Sequence, residues 1–160
     1  MFDFIVSAVV IGAGGTAALD LWNLFLNRTR GLPLPPWHWV GRWFAGMPHG
    51  VFVHRAGIMN SPSVYRELAL GWLMHYVVGS LFAASLLVLW GRQWAHAPTL
   101  LPALIVGWVT VGAGWFLLQP GMGAGVACSG APNPARARWM NIVGHTVFGT
   151  GMYLSAKLLL

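Results

Sequence analysis

The sequence predicts an all-α polytopic membrane protein, with four transmembrane helices in an antiparallel bundle and an interfacial aromatic loop. Hydrophobic residues make up 57% of the 160 positions and charged residues only 8%, whereas a soluble domain carries about a quarter charged residues. Four nearly charge-free stretches each exceed the roughly 20 helical residues that cross a bilayer. With no further hydrophobic block and no fixed-period repeat, we expect a single domain, 1–160. The four predicted spans are 3–26, 68–90, 98–119 and 139–159.

The first span is predicted to be part of the mature protein. It begins "MFDFIVSAVV", with an acid at position 3 and without the basic segment that opens a signal peptide. Its neighbours should pack through small residues, because helices in lipid associate by close van der Waals approach. Such residues recur four or eight positions apart in the first three spans: Ala13 and Ala17, then Gly71, Gly79 and Ala83, then Ala103 and Gly107.

The first loop, 27–66, contains the aromatic stretch "PLPPWHWVGRWFAGMP" between prolines. Trp37, Trp39 and Trp43 lie there beside Arg42, a composition that favours a short helix or turn at the level of the lipid headgroups. The third loop, "QPGMGAGVACSGAPNPARAR", is rich in Gly and Pro and should re-enter the membrane or lie along its surface.

Several soluble-enzyme chemistries are excluded by missing motifs. The third loop lacks the Gly-Lys-Ser/Thr sequence of a phosphate-binding loop, and no Gly-x-Ser-x-Gly nucleophile motif occurs. The three carboxylates lie at different depths, so a hydrolytic acid pair is not expected. The single cysteine, Cys128, excludes an intrachain disulfide.

The basic residues predict orientation. Seven of the nine lie in or beside the first and third loops, and the positive-inside rule therefore places those loops in the cytoplasm and both termini outside. The cations are scattered and form no basic run, so we expect the lipid bilayer, not nucleic acid, as the partner.

The most informative residues are the ionisable side chains inside the spans, which are Asp20, His75 and His145. Each costs at least about 2–3 kcal/mol in hydrocarbon, so such groups face the bundle interior. All three lie about 10–12 Å below the same predicted cytoplasmic boundary at 1.5 Å per residue. The pattern predicts one buried layer, with Glu67 and Gln119 at its edges and His49, His54 and Arg55 as a gate on the cytoplasmic side.

Three interpretations of this layer remain open. It forms a structural hydrogen-bond network, it binds haem b or a divalent metal through His75, His145 and Asp20, or it is a path for protons or solutes. An enzyme acting on a lipid-soluble substrate is a further alternative, because the same groups can transfer protons.

The stretches "GWLMHYVVGSLFA", "PTLLPALIVGWVTV" and "GHTVFGTGMYLSA", with the loop "VGRWFAGMPHGVFVH", resemble in order and spacing a bacterial membrane protein family, domain-of-unknown-function family 2938. The resemblance covers nearly the whole chain. It implies a multi-pass protein of the bacterial inner membrane, without an established activity, and adds Tyr76 to the candidate site. Two departures are Gly and Ala in "VGAGWFLLQP", where the family has a Pro-Phe kink, and Cys128 in place of a small residue. Matching positions are Glu67, His75, Tyr76, Gln119, Pro120, His145, Phe148 and Gly149.

Together these features predict a membrane-embedded binding or transport protein for a small ligand, ion or cofactor. The candidate ligand residues are His75, His145, Asp20, Tyr76, Gln119 and Glu67. An accessory structural subunit of a larger membrane complex and a haem- or metal-binding electron carrier are the alternatives, and homo-oligomerisation or a membrane-protein partner is expected.

Overall fold

The computed structural model describes residues 2–159, and these residues form five α-helices joined by loops and short 3-10 turns. The all-α prediction is therefore confirmed at the level of secondary structure. The helices are α1 (Phe2–Arg30), α2 (Trp37–Gly46), α3 (Glu67–Leu89), α4 (Leu100–Gly121) and α5 (Pro134–Lys157).

Three helices, α1 from Asp3 onward, α3 and α4, are long and apolar enough to cross a membrane. Three of the four predicted spans are thus confirmed by length and composition. The fourth, 139–159, falls mostly on α5, which is helical over 24 residues. Helix α5 is less apolar than the other three long helices. It contains Arg136 and Arg138 near its start and several Gly and Thr residues further along.

The chain divides into two compact units. Unit 1 comprises 1–34, 76–110 and 142–160, and unit 2 comprises 35–75 and 111–141. The predicted domain, 1–160, also includes residues 1 and 160, which lie outside the described part of the chain.

Glycines bring the helix backbones of unit 1 into close contact. A Cβ on Gly12 would meet the Ser80 backbone, and one on Gly15 would lie 2.7 Å from Met152 Cγ. Further along α1, Ala18 packs on Gly151 and Leu19 on Gly144, so α1 and α5 run antiparallel. Of the predicted small-residue contacts, Ala83 and Ala103 are fully buried in the core. Small residues therefore determine the helix spacing.

In unit 2, α2 lies against the first turns of α3. A Cβ on Gly41 would collide with the Glu67 carbonyl, and one on Gly71 would collide with the Trp37 carbonyl. The predicted helix in the aromatic stretch is confirmed, and its partner is α3. The first and third loops also pair, since the His54 amide donates to Gly121 O (2.8 Å) and the Ile58 amide to Met122 O (2.9 Å).

Helix α4 widens to a π-helix at Gly114–Leu118, immediately before Gln119 and Pro120. The Gln119 amide donates to Gly114 O, five residues back. Proline lacks an N–H and its ring collides with the carbonyl four residues earlier in a regular helix. The wider turn accommodates Pro120, so α4 is irregular here.

We expect Gly107→Ala to destabilise the protein by about 1–3 kcal/mol, because the added methyl group would lie 2.5 Å from the His145 carbonyl. Gly114→Ala is the matched control on the same helix, since a Cβ there would have no neighbour within 4 Å. Thermal unfolding in detergent measures both. Equal loss of stability in the two variants would contradict glycine-dependent packing of α4.

Candidate functional site

Asp20 and Tyr76, two predicted site residues, meet in unit 1. The Tyr76 hydroxyl donates a hydrogen bond of 3.1 Å to Asp20 Oδ2 in a partly buried position. Earlier along α1, Gly12 contacts Ser80 and Thr16 contacts Gly79, which brings α1 and α3 together. The predicted inward orientation of Asp20 is consistent with this contact.

His145 of α5 is held by the backbone of α4. Its Nδ1 atom lies 3.0 Å from Gly107 O and 3.2 Å from Thr110 Oγ1. The Thr110 hydroxyl donates to the same carbonyl at 2.8 Å. Because a carbonyl can only accept, the contact with Gly107 O requires a hydrogen on His145 Nδ1.

Asp20 and His145 occur at the same level of unit 1. Leu19, next to Asp20, packs within 3.2 Å of the Cβ position of Gly144, next to His145. Their hydrogen-bond partners Tyr76 and Thr110 belong to α3 and α4. We call this set the polar layer, and each of the four long helices contributes one side chain: Asp20, Tyr76, Thr110 and His145.

His75 belongs to unit 2, where its half-buried ring stacks on Trp37. The ring centroids are 3.8 Å apart and the planes differ by 27°. Trp72 approaches from the edge at 6.0 Å. Sequence reasoning treated Trp37 only as a membrane anchor, whereas in the structure α2 supplies the aromatic surface on which His75 rests.

Glu67, a predicted ligand residue, forms an ion pair with Arg42 of α2. Arg42 Nε donates to Oε2 and Nη2 to Oε1, both at 2.8 Å, and the side chains are only 10% and 15% exposed. Arg42 Nη1 also donates to Ile58 O (3.0 Å) and Ser61 O (2.7 Å). The hydrogen bond with Glu67 raises the pKa of Arg42 above its usual value. This pair therefore joins α2, α3 and the intervening loop.

Gln119, the other predicted edge residue, joins α4 to the third loop and α5. Its Oε1 accepts from the Cys128 amide at 2.7 Å, and its Nε2 donates to Asn141 Oδ1 at 3.3 Å. Asn141 Oδ1 also accepts from Trp115 Nε1 (2.9 Å) and Cys128 Sγ (3.2 Å). The cysteine that departs from the family pattern is thus a buried hydrogen-bonding group.

Of the predicted gate residues, His49 and Arg55 are exposed, and His54 is half-buried. His54 Nδ1 lies 2.7 Å from Ser61 Oγ, and its Nε2 is buried without a hydrogen-bond partner. Their action as a gate stays a prediction.

Within residues 2–159, no group of three or more His, Cys, Asp or Glu side chains is close enough to hold a metal ion. The metal set of His75, His145 and Asp20 stays a prediction.

Sequence reasoning did not assign Arg42 to Glu67 or Thr110 to His145. A buried carboxylate requires a cation, but several arginines in the first loop were equally eligible. Thr110 carries no distinguishing signal, since threonine is common in membrane helices.

The model of the family described as "Protein of unknown function (DUF2938)" matches residues 9–159. The chain belongs to the DUF2938 family. This membership confirms the resemblance found in the sequence. Comparisons with curated proteins and with solved structures gave no match.

Arg42→Met is expected to destabilise this DUF2938 protein by about 3–5 kcal/mol, because it leaves the Glu67 carboxylate buried without a cation. The double variant Arg42→Met with Glu67→Leu removes both charges and should recover part of the loss. Unfolding of the parent, both single variants and the double variant in detergent gives the coupling energy. Strictly additive effects would show that the ion pair contributes nothing specific.

Proposed function

We propose that the protein is a four-span membrane protein that binds or transports a small cation or protons at the polar layer. The observation that carries the proposal is the arrangement of Asp20, Tyr76, Thr110 and His145 at one level, as two hydrogen-bonded pairs. Asp20 and His145 can each take up and release a proton, which is how such residues act in transport paths.

Energetics favour a function over a purely structural network. A carboxylate at the centre of a membrane helix costs about 2.5–3.5 kcal/mol on insertion scales. Hydrogen bonds between membrane helices average about 0.6 kcal/mol and reach about 1.7 kcal/mol. One average bond repays only part of this cost, which supports a role for Asp20 beyond helix packing.

The proposal includes α5 as the fourth span. Within unit 1, α5 packs on α1 through Gly144 and Gly151, on α4 through Gly149, and on α3 through the Phe82–Phe148 ring contact. A helix covered by protein on several sides needs less hydropathy than one surrounded by lipid. We place the protein in the bacterial inner membrane, with both termini outside.

The chemistry of the layer supports a cationic ligand. Carboxylate oxygens and the unprotonated nitrogen of an imidazole, the groups that Asp20 and His145 supply, are hydrogen-bond acceptors. A protonated amine, a metal cation or a proton complements these acceptors, whereas an anion would be repelled by Asp20.

Asp20→Asn and His145→Gln should each lower cation-dependent dissipation of an imposed pH gradient at least tenfold, because each removes a protonatable group. The full chain is reconstituted into liposomes that contain a pH-sensitive dye, and sodium, potassium or ammonium is added outside. Asp3→Asn and His96→Gln are matched controls at exposed positions and should behave as the parent.

Two results would overturn the transport and binding proposal together. One is a parent rate equal to that of empty liposomes, combined with mass spectrometry that finds no small molecule or metal retained by purified protein. The other is full activity in both Asp20→Asn and His145→Gln.

A second candidate, a haem b or metal protein, is favoured by the orientation of His145. Metal-binding histidines usually donate their second ring N–H to a carbonyl or carboxylate, as His145 Nδ1 does to Gly107 O. His145 Nε2 would be the ligand atom, and Asp20 of the same unit is a predicted further ligand.

If this candidate is right, protein purified from its native membrane shows haem absorption bands or stoichiometric metal by elemental analysis. His145→Ala should lose the signal, and His96→Ala should retain it. A visible spectrum without haem bands, together with an elemental analysis that finds no metal, rejects this candidate and leaves the transport proposal intact.

A further inference from the structure

The exposed charge of unit 2 is entirely positive. Its sequence, 35–75 and 111–141, contains a single acid, Glu67, which pairs with the buried Arg42. The other arginines of the unit are all exposed, and no further carboxylate in its sequence balances them. These are Arg55, Arg66, Arg136 and Arg138.

Exposed aromatic side chains accompany three of these arginines. Tyr65 is 83% exposed, and the Arg66 guanidinium lies 5.1 Å from its ring centroid. Trp139, directly after Arg138, is 63% exposed. Three residues before Arg55, Phe52 is 57% exposed within the exposed apolar segment Val51–Val53. Aromatic rings beside cations are typical of groups at the boundary between headgroups and acyl chains.

Arg55 and Arg138 belong to segments that are connected to each other by hydrogen bonds. The segment around Arg55 pairs with the start of the third loop through His54 N–Gly121 O and Ile58 N–Met122 O. At the far end of that loop, Arg138 Nε donates to Ala127 O at 2.7 Å. The first loop, the third loop and the start of α5 thus form one connected layer that carries Arg55 and Arg138.

We propose that the exposed arginines of unit 2, together with the exposed aromatic side chains near them in the sequence, bind the headgroups of anionic phospholipids. Guanidinium groups suit phosphate because they donate in a planar fork, and the neighbouring Phe52, Tyr65 and Trp139 insert among the glycerol and upper acyl segments. An acidic polypeptide without apolar side chains would match the arginines, but it would leave these apolar side chains in water. The proposal does not depend on the polar layer.

The test compares lipid binding to delipidated full-length protein by native mass spectrometry, with phosphatidylglycerol and phosphatidylcholine as probes. The parent should bind the anionic lipid more tightly, and the preference should shrink at high ionic strength because screening weakens it. Arg55→Gln with Arg136→Gln should weaken phosphatidylglycerol binding by about fivefold for each arginine. Phe52→Ser should weaken binding of both lipids.

The matched control is Arg92→Gln with Lys157→Gln, which removes the same charge from exposed positions of unit 1 and should retain the preference. Equal affinity of the parent for the two lipids would overturn the proposal. An equal loss of phosphatidylglycerol affinity in the control variant would also overturn it. The same holds if the protein binds polyglutamate more tightly than phosphatidylglycerol.

Discussion

Close contact of helix backbones at glycine is the constraint on which the polar interactions of this DUF2938 protein depend. In unit 1, Gly12 contacts Ser80 about two helical turns along α1 from Asp20, which meets Tyr76. The contact of Gly107 with α5 brings the Gly107 carbonyl within reach of His145. In unit 2, Gly41 allows α2 to pack closely on α3, and the next residue, Arg42, hydrogen-bonds Glu67. Larger side chains at these positions would separate the helices and the polar pairs with them.

The two sets of polar residues differ in their chemistry. Arg42 and Glu67 share two direct hydrogen bonds. Arg42 also donates to two backbone carbonyls, and Glu67 accepts from one backbone amide. Such a fully bonded pair is suited to holding the helices together. The polar layer combines a carboxylate, a phenol, an imidazole and a hydroxyl, whose hydrogen-bonding roles change with protonation or with rotation of the hydroxyl group. This change of role is what the proposed passage of protons or cations requires.

Three of the long helices were predictable because their segments are long and apolar enough to be recognised from the sequence. The positions of Asp20 and His145 were derived from their distance to the flanking arginines, and the Leu19–Gly144 contact places their neighbours side by side. The choice of partners was not predictable. Glu67 could have paired with any of several arginines, and nothing in the sequence indicated that α2 would lie against His75.

The helical class and three membrane-length helices were predictable because composition and local periodicity are properties of the chain, and the family was indicated by the resemblance of its motifs. The sequence also singled out the few ionisable groups in apolar segments, since their cost makes them conspicuous. The three-dimensional arrangement was needed to show that Tyr76 donates to Asp20, that Thr110 and Gly107 hold His145, and that Arg42 neutralises Glu67. These pairings join residues up to 56 positions apart, and they depend on which helix faces approach each other, a property that no single segment encodes.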